Sequence, residues 1–117
     1  MKNSKGYPAG EYSKLVRDKI PGIIRKSGKI PVTHIAYGEE YIRRVRDKLK
    51  EEVNELLHAQ TREKAEEEIG DIIEVLHAYA QIAGTEMEIV ESKRRTKHTT
   101  NGGFQTGVVL ERVEEKS

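Results

Sequence analysis

The feature that most constrains the fold is a pair of long segments whose apolar residues recur at helical spacing. The first segment predicts a helix from about Glu39 to Ala59. The second predicts a helix from Thr61, which is a suitable N-cap, to about Ala83, with Gly84 as a typical terminating residue. Because the link between the two helices is short, we expect them to pack antiparallel. The sequence therefore predicts a mainly α-helical domain built around one helical hairpin.

Two shorter helices are expected on either side of this hairpin. Pro21 is a favoured first-turn residue and starts a helix that runs to about Lys26. Thr85 and Glu88 form a T-x-x-E capping box for a helix that follows the hairpin and runs to about residue 97. Together these elements indicate an antiparallel helical bundle.

A small β-strand pair is also expected. The apolar segments 31–36 and 107–113 are typical of short strands and are predicted to pair with each other. The tripeptide at 101–103, Asn-Gly-Gly, is a turn signal before the second segment. Residues 1–12 are polar and are predicted to form a loose N-terminal arm. Since no repeat or domain boundary is visible, residues 1–117 are expected to form a single domain.

Composition argues against several classes of function. The net charge of +1 gives no global field that would attract a nucleic-acid polymer or a membrane surface. No apolar run approaches the roughly 20 residues that span a bilayer, and no signal-peptide apolar region follows Met1. We therefore expect a cytoplasmic protein. The lack of cysteine excludes disulfides and thiolate chemistry.

The apolar content is low for a self-contained globular domain. It amounts to 35% of the residues, with one Phe and no Trp. At the same time, the segment 65–82 has a wide apolar face for one helix. A homodimer or homotetramer, in which that face is covered, is therefore expected.

Four carboxylates fall where the helices should pack. At about 100° per residue, Glu52 lies on the flank of the first helix's apolar stripe and Glu55 lies further out. On the second helix, Glu68 lies inside the apolar arc and Asp71 at its edge. Burying carboxylates is costly and like charges one turn apart repel, so a cation is expected to neutralise them. Hard oxygen ligands favour Mg²⁺, or Mn²⁺, over zinc. A plain salt-bridged helix pair is the alternative that the spacing leaves open.

The segments that carry these carboxylates resemble a known family. Residues 51–55 read E-E-V-N-E and, after twelve residues, 68–71 read E-I-G-D. This looks like the E-E-x-x-E … E-x-x-D signature of the all-α nucleoside triphosphate pyrophosphohydrolases, which include MazG-like enzymes, dimeric dUTPases and phosphoribosyl-ATP pyrophosphohydrolase. Residues 14–21, KLVRDKIP, and 101–104, NGGF, resemble motifs of a small single-domain MazG-like branch. The resemblance covers about residues 12–113.

This resemblance implies both a metal site and a reaction. Glu52, Glu55, Glu68 and Asp71 match the positions that bind Mg²⁺ in the family. The family cleaves a nucleoside triphosphate between the α and β phosphates to a monophosphate and pyrophosphate. Glu52 or Glu55 is expected to act as the catalytic carboxylate that orients the water. Glu51 either holds an outer-shell water or is simply solvated.

The substrate and pathway implied by the resemblance have two versions. Similarity to the small MazG-like branch favours house-cleaning of non-standard nucleotides. The alternative is the phosphoribosyl-ATP pyrophosphohydrolase step of histidine synthesis. Both substrates would need the same metal-binding carboxylates, so these residues do not show which substrate is used.

Cationic side chains are expected to hold the phosphates. The candidates form two clusters, Lys14, Arg17 and Lys19 in the N-terminal motif and Lys93, Arg94 and Lys97 on the last helix. The second cluster equally fits a solvated helix C-terminus, where basic residues are favoured anyway.

A di-iron protein is a rival interpretation of the same acidic helices. Glu55 with His58, and Glu74 with His77, form the E-x-x-H unit of carboxylate-bridged di-iron bundles. Helical angles place both histidines away from the predicted carboxylate cluster, which disfavours iron chemistry. Surface positions are expected for these histidines.

A non-catalytic function is the remaining alternative. A helical dimerisation or regulatory module would equally explain the wide apolar face of 65–82, although it would not explain Glu68 inside that face. A nucleic-acid binder is disfavoured, because the basic tract at 93–97 is short and has no interleaved aromatic residues.

Overall fold

Four helices form the regular structure of residues 6–117, which are the residues that the computed structural model of this chain describes. They are α1 (Ile20–Lys26), α2 (Gly38–Leu57), α3 (Arg62–Ile82) and α4 (Met87–Asn101). Helices α2 and α3 pack against each other and are joined by the short connection 58–61. The predicted helical hairpin and the mainly α fold are therefore confirmed.

Local interactions set the ends of α3. The Thr61 side chain accepts a hydrogen bond from the Lys64 backbone N–H at 3.0 Å, which confirms the predicted N-cap. At the other end, the Thr85 N–H donates to the Ala80 carbonyl at 2.9 Å. This turn needs a positive φ at Gly84, which is +79°. The hairpin thus ends where the sequence predicts.

Helix α4 differs from its prediction at both ends. The expected capping box of Thr85 and Glu88 is wrong, because α4 begins at Met87 without a side-chain cap. Thr85 is instead part of the turn that closes α3. The helix continues one turn beyond its predicted end, to Asn101, and stops at Gly102, whose φ is +87°.

The predicted β-strand pair is wrong. Within the described chain, residues 31–36 and 107–113 have no regular secondary structure. Their apolar side chains are largely exposed, as with Val32 at 94% and Val108 at 85%. The composition of both segments suits a strand, but a strand needs a neighbour to complete its backbone hydrogen bonds. Neither segment meets one among the described residues.

The N-terminal segment is fixed to the hairpin ahead of α1. Arg44 of α2 donates from Nη1 to the Ser13 carbonyl at 2.9 Å. Tyr7 and Tyr12 form an edge-to-face pair with centroids 5.6 Å apart, and the Lys14 ammonium lies within 6 Å of both rings. Within the predicted loose arm, residues 6–12 have no helix or strand, and residues 1–5 lie outside the described part of the chain.

The apolar core is small and draws one buried residue from each of α1, α2 and α3. Its buried members among residues 6–117 are Ile20, Val45 and Ala80. The radius of gyration is 19.2 Å and the longest extent 72 Å, whereas a compact domain of this length has a radius of gyration of about 13 Å. None of the described helices combines the length and the apolarity needed to cross a membrane.

Candidate metal centre

Two glutamates occupy core positions at the centre of the hairpin. Glu52 of α2 is 2% exposed and Glu68 of α3 is 0% exposed, so both are as buried as Val45. Val45 and Glu52 lie seven residues apart and therefore share one face of α2. A buried carboxylate without compensation is strongly unfavourable in a position of this kind. Helical period predicted Glu68 inside the apolar arc of α3, but it placed Glu52 only on the flank of the α2 stripe.

Glu55 brings a third carboxylate to the same place. Glu52 and Glu55 lie one turn apart on α2, and Glu68 faces them from α3. One carboxylate oxygen from each residue lies within 4.8 Å of the others. Three such groups concentrate negative charge at a partly dehydrated site, where a cation is strongly favoured. Because all the donors are carboxylate oxygens, the set suits a hard divalent ion such as Mg²⁺ or Mn²⁺.

Each buried glutamate has a lysine one turn earlier on its own helix. Lys48 Nζ lies 3.4 Å from Glu52 Oε2, and Lys64 Nζ lies 3.4 Å from Glu68 Oε2. Lys64 also donates to Glu67 Oε1 at 3.0 Å, and this bond is the main reason that the pKa of Lys64 is raised. Lys48 and Lys64 therefore balance part of the negative charge of the carboxylate group.

These two lysines are functional candidates that sequence reasoning missed. Both have a readable signal, since Lys48 and Lys64 stand four residues before Glu52 and Glu68, the spacing at which side chains meet on a helix. Once the glutamates are recognised as inward-facing, the same spacing identifies their lysine neighbours.

Asp71, the fourth predicted ligand, lies outside the group of three glutamates. Its Oδ1 accepts a hydrogen bond from Arg17 Nη2 at 2.6 Å, and Arg17 Nη1 lies 4.0 Å from Glu74 Oε1. The sequence assigned Arg17 to phosphate and Asp71 to metal. In the structure these two side chains form an ion pair with each other.

A polar cavity of about 270 Å³ lies between the N-terminal segment and the hairpin. Carboxylates and cations both line it, among them Lys14, Arg17, Lys48, Glu51, Glu52 and Asp71. Lys14 Nζ lies 3.9 Å from Glu51 Oε2. A wall of this mixed charge can hold a cation and an anion side by side, as a metal–phosphate ligand requires.

A second, more open cavity of about 430 Å³ lies at the turn between α2 and α3. Its walls include His58, Thr61 and Lys64. Glu55, which belongs to the carboxylate group, lines both cavities. The arrangement leaves room for a ligand that extends beyond its charged part.

The other predicted phosphate-binding cations lie elsewhere. Lys19 is the exposed N-cap of α1. On α4, Arg94 donates from Nε and Nη2 to Glu91 at 2.9 and 2.7 Å, which raises the pKa of Arg94 and lowers that of Glu91. Neither Arg94 nor Lys93 and Lys97 lines either cavity. Of the six predicted phosphate-binding cations, Lys14 and Arg17 line the polar cavity that contains Glu52.

The histidines do not join the carboxylate group. His58 is exposed, and its Nδ1 lies 2.8 Å from the Asn54 carbonyl at the end of α2. His77 is also exposed. In the described residues the group suited to a metal contains glutamates and no histidine, which disfavours the di-iron alternative.

Comparison with known proteins gives a partial likeness. A relative in Mycolicibacterium smegmatis, an uncharacterised protein, is 47% identical over 53 residues. The matched region covers 45% of this chain and 54% of the relative, so this chain spans about half the length of the relative it matches. No family model matches the chain. No solved structure matches it either.

Proposed function

We propose that this protein is a Mg²⁺-dependent nucleoside triphosphate pyrophosphohydrolase. The observation that carries the proposal is the burial of Glu52 and Glu68 beside Glu55, in positions that apolar residues normally fill. Apolar residues there would stabilise the hairpin better than clustered carboxylates do. A site that binds a cation explains why this cost is retained, and the resemblance to the pyrophosphohydrolase signature supplies the reaction.

The carboxylates divide the work at this site. Glu52, Glu55 and Glu68 would hold the metal ion, with Asp71 in the same cavity as the fourth ligand implied by the family signature. When bound, Mg²⁺ offsets the charge of phosphate oxygens and lowers the pKa of water. Glu52 or Glu55 orients the attacking water and accepts its proton at a carboxylate oxygen. The oxygen of this water would bond to the α phosphorus as the bridging P–O bond to the β phosphate breaks, so that a monophosphate forms and pyrophosphate leaves.

The cations of the N-terminal segment suit the phosphates. Lys14 and Arg17 line the cavity that also contains Glu52. This position would let them offset the charge that develops on the leaving group. Arg17 offers a planar pair of donors, which matches phosphate oxygens as well as the Asp71 carboxylate. The second cavity, at the hairpin turn, would receive the sugar and base.

We propose non-standard nucleotides as the substrates, with phosphoribosyl-ATP as the alternative. Both have a triphosphate chain that the same cluster would bind. A non-catalytic dimerisation module is a second candidate function, and the exposed apolar side chains of α3 favour it. In that case the buried carboxylates would have a structural role.

A nucleotide panel tests the proposal. The protein is incubated with standard and damaged triphosphates and with phosphoribosyl-ATP, in Mg²⁺ with and without EDTA, and the products are identified. We expect a monophosphate and pyrophosphate, formed only with the metal. Glu52→Gln should abolish turnover, whereas Glu66→Gln, on an exposed part of α3, should retain it. Binding without turnover across the panel favours the dimerisation module.

A further inference from the structure

Two tyrosines of the N-terminal segment lie around the ammonium group of Lys14. Lys14 Nζ lies 5.8 Å from the ring centroid of Tyr7 and 5.9 Å from that of Tyr12. The two rings contact each other edge to face, with their planes at 65°. A cation at this distance is attracted by the negative face of an aromatic ring. Both rings therefore restrict a side chain that is otherwise long and flexible.

We propose that Tyr7 and Tyr12 are positioning residues, which hold the Lys14 ammonium group at the wall of the polar cavity so that it binds a phosphate group of the substrate. Neither ring takes a direct part in the reaction, and both act through Lys14. The ligand, a nucleotide phosphate chain, comes from the proposed function, on which this inference therefore rests. The two rings prepare the cation before the ligand arrives.

The polar cavity brings this aromatic pair to the carboxylate group. Tyr7 and Lys14 line the cavity together with Glu52 and Asp71. Tyr7 is half-buried at this wall, whereas Tyr12 does not line the cavity and is 50% exposed. A ligand whose metal-bound phosphates fill the cavity therefore meets the Lys14 ammonium group beside the Tyr7 ring.

A chain of charged contacts continues from Lys14 to the metal-binding glutamates. Lys14 Nζ lies 3.9 Å from Glu51 Oε2, and Glu51 Oε1 lies 3.4 Å from Lys48 Nζ. Lys48 Nζ lies in turn 3.4 Å from Glu52 Oε2. Because an ammonium group has three N–H donors, Lys14 can face Glu51 and also donate to a phosphate oxygen. Glu51 thus keeps Lys14 on the side of the cavity where Glu52 lies.

The contact with Glu51 is too weak to fix Lys14 by itself. The Lys14 side chain is 37% exposed and the Glu51 side chain 33%. Ion pairs of such exposure contribute little, because solvent screens them and a long side chain loses entropy when it is held. This entropy is among the largest for lysine. Two rings that restrict Lys14 in the unliganded protein reduce the entropy that phosphate binding has to overcome.

Local interactions keep the two rings in place. The Tyr12 hydroxyl donates to the Pro8 carbonyl at 2.8 Å, which closes the loop between the two tyrosines. Ser13 follows directly, and its carbonyl accepts a hydrogen bond from Arg44 Nη1 of α2 at 2.9 Å. The aromatic pair is therefore attached to the helix that carries Glu51.

Binding of inorganic pyrophosphate tests the positioning role without turnover. Its affinity is measured by calorimetry with Mg²⁺ present. We expect Tyr7→Leu/Tyr12→Leu to weaken binding about tenfold, because both cation–π contacts are lost. The value of kcat/KM for the nucleotide should fall by the same factor.

Two controls accompany this measurement. Tyr7→Phe/Tyr12→Phe keeps both rings, so its pyrophosphate affinity should stay within about twofold of the wild-type value. Tyr37→Leu removes a tyrosine that is 77% exposed and lines neither cavity, and it should leave the affinity unchanged. An affinity that falls as far in the Phe variant as in the Leu variant would overturn the role of the rings.

A further substitution shows whether the rings act through Lys14. In the Lys14→Ala background, Tyr7→Leu/Tyr12→Leu should cause no additional loss of pyrophosphate affinity, because the group that the rings position is absent. Rings that only stabilise the N-terminal segment would weaken binding equally with and without Lys14. They could also lower the melting temperature and leave binding unchanged. Either result overturns the positioning role.

NMR of the unliganded protein checks the contact itself. Ring currents should shift the Lys14 ε-methylene protons upfield of those of Lys29, which is exposed. Tyr7→Leu/Tyr12→Leu should remove this shift. Lys14 resonances that coincide with those of Lys29 in the wild type would show that the rings do not hold Lys14, and would overturn the inference.

These outcomes separate the positioning role from the proposed function. Tyrosine-dependent binding of pyrophosphate without hydrolysis of any nucleotide keeps the positioning role and removes the enzyme assignment. Nucleotide hydrolysis with an unchanged kcat/KM in Tyr7→Leu/Tyr12→Leu removes the positioning role, while the enzyme assignment stands. A wild type that neither binds pyrophosphate nor hydrolyses a nucleotide overturns both.

Discussion

Val45 and Glu52 share one face of α2, two turns apart, and both are removed from solvent. Val45 is an ordinary core residue of a helical hairpin. Glu52 lies at a position equivalent in burial but has a carboxyl group, and it faces Glu68 and Glu55. The same helix pair thus has an apolar level and an acidic level. We infer that the first level holds the hairpin together and that the second exists for binding and chemistry.

The largest expected effect is a loss of activity when the acidic level is changed. Glu52→Gln keeps the shape of the side chain and removes the charge, so we expect Mg²⁺-dependent hydrolysis to fall by about 10²-fold or more. The melting temperature should change little, because the loss of like-charge repulsion offsets the loss of the Lys48 ion pair. Steady-state kinetics and thermal unfolding in EDTA measure the two effects. The opposite result would be a Glu52→Gln variant that is less stable but hydrolyses the nucleotide normally when folded. That result would mean that the acidic level stabilises the hairpin and has no role in catalysis.

The converse change acts on the apolar level. Val45→Ala removes two buried methyl groups and leaves a small cavity, so it should lower the free energy of unfolding by roughly 2 kcal/mol. Activity of the folded variant should be retained. Urea denaturation measures the loss, and Val32→Ala, at a site 94% exposed, should change stability by less than about 0.5 kcal/mol. If Val45→Ala and Val32→Ala lowered the free energy of unfolding equally, Val45 would not be a core residue that stabilises the hairpin.

A substitution of Arg17 tests its proposed role in binding the nucleotide phosphates. Arg17→Ala removes the partner of Asp71 and a cation of the polar cavity. We expect KM for the nucleotide to rise by about tenfold, since a charge-assisted contact is lost. Arg25→Ala on the exposed side of α1 is the matched control and should leave KM unchanged. A rise in kcat with unchanged KM would mean that Arg17 only restrains Asp71.

A smaller effect is expected at the start of α2, away from the acidic level. A hydrogen bond from His34 to Glu40 at 2.8 Å is the main cause that lowers the pKa of Glu40 below 4.5, and Arg44 adds to it. A carboxylate with a depressed pKa stabilises the fold above its unfolded pKa, and this contribution is lost as the pH falls through the folded value. The difference in melting temperature between wild type and Glu40→Gln should therefore shrink as the pH is lowered below 4.5. A constant difference would show that this ion pair does not contribute.

Features that depend on near neighbours were predictable from the sequence. The N-cap at Thr61 and the inward position of Glu68 follow from capping chemistry and helical period, which need only a few adjacent residues. The same holds for the ends of α3 and for the existence of the hairpin. The same rules bring Glu52, Glu55 and Glu68 to or near the packing side of the hairpin.

Features that depend on distant residues were not predictable in the same way. Arg17 and Asp71 are 54 residues apart, and nothing local shows that they pair. The β-strand prediction for 31–36 and 107–113 failed because composition describes a suitable strand without supplying its neighbour. The position of α4 likewise depends on surfaces outside the segment itself. Sequence reasoning therefore found the acidic level of the hairpin and missed how the rest of the chain surrounds it.

The central claim is that the three glutamates form a divalent-cation site. Titration with Mg²⁺, followed by thermal unfolding at constant ionic strength, tests it most directly. The wild type should gain stability with rising Mg²⁺, by about 2.7 kcal/mol at one hundred times the dissociation constant. Glu68→Gln should lose most of this gain, while Glu66→Gln should keep it. No stabilisation of the wild type by Mg²⁺ or Mn²⁺, or an equal gain in Glu68→Gln, would contradict the account.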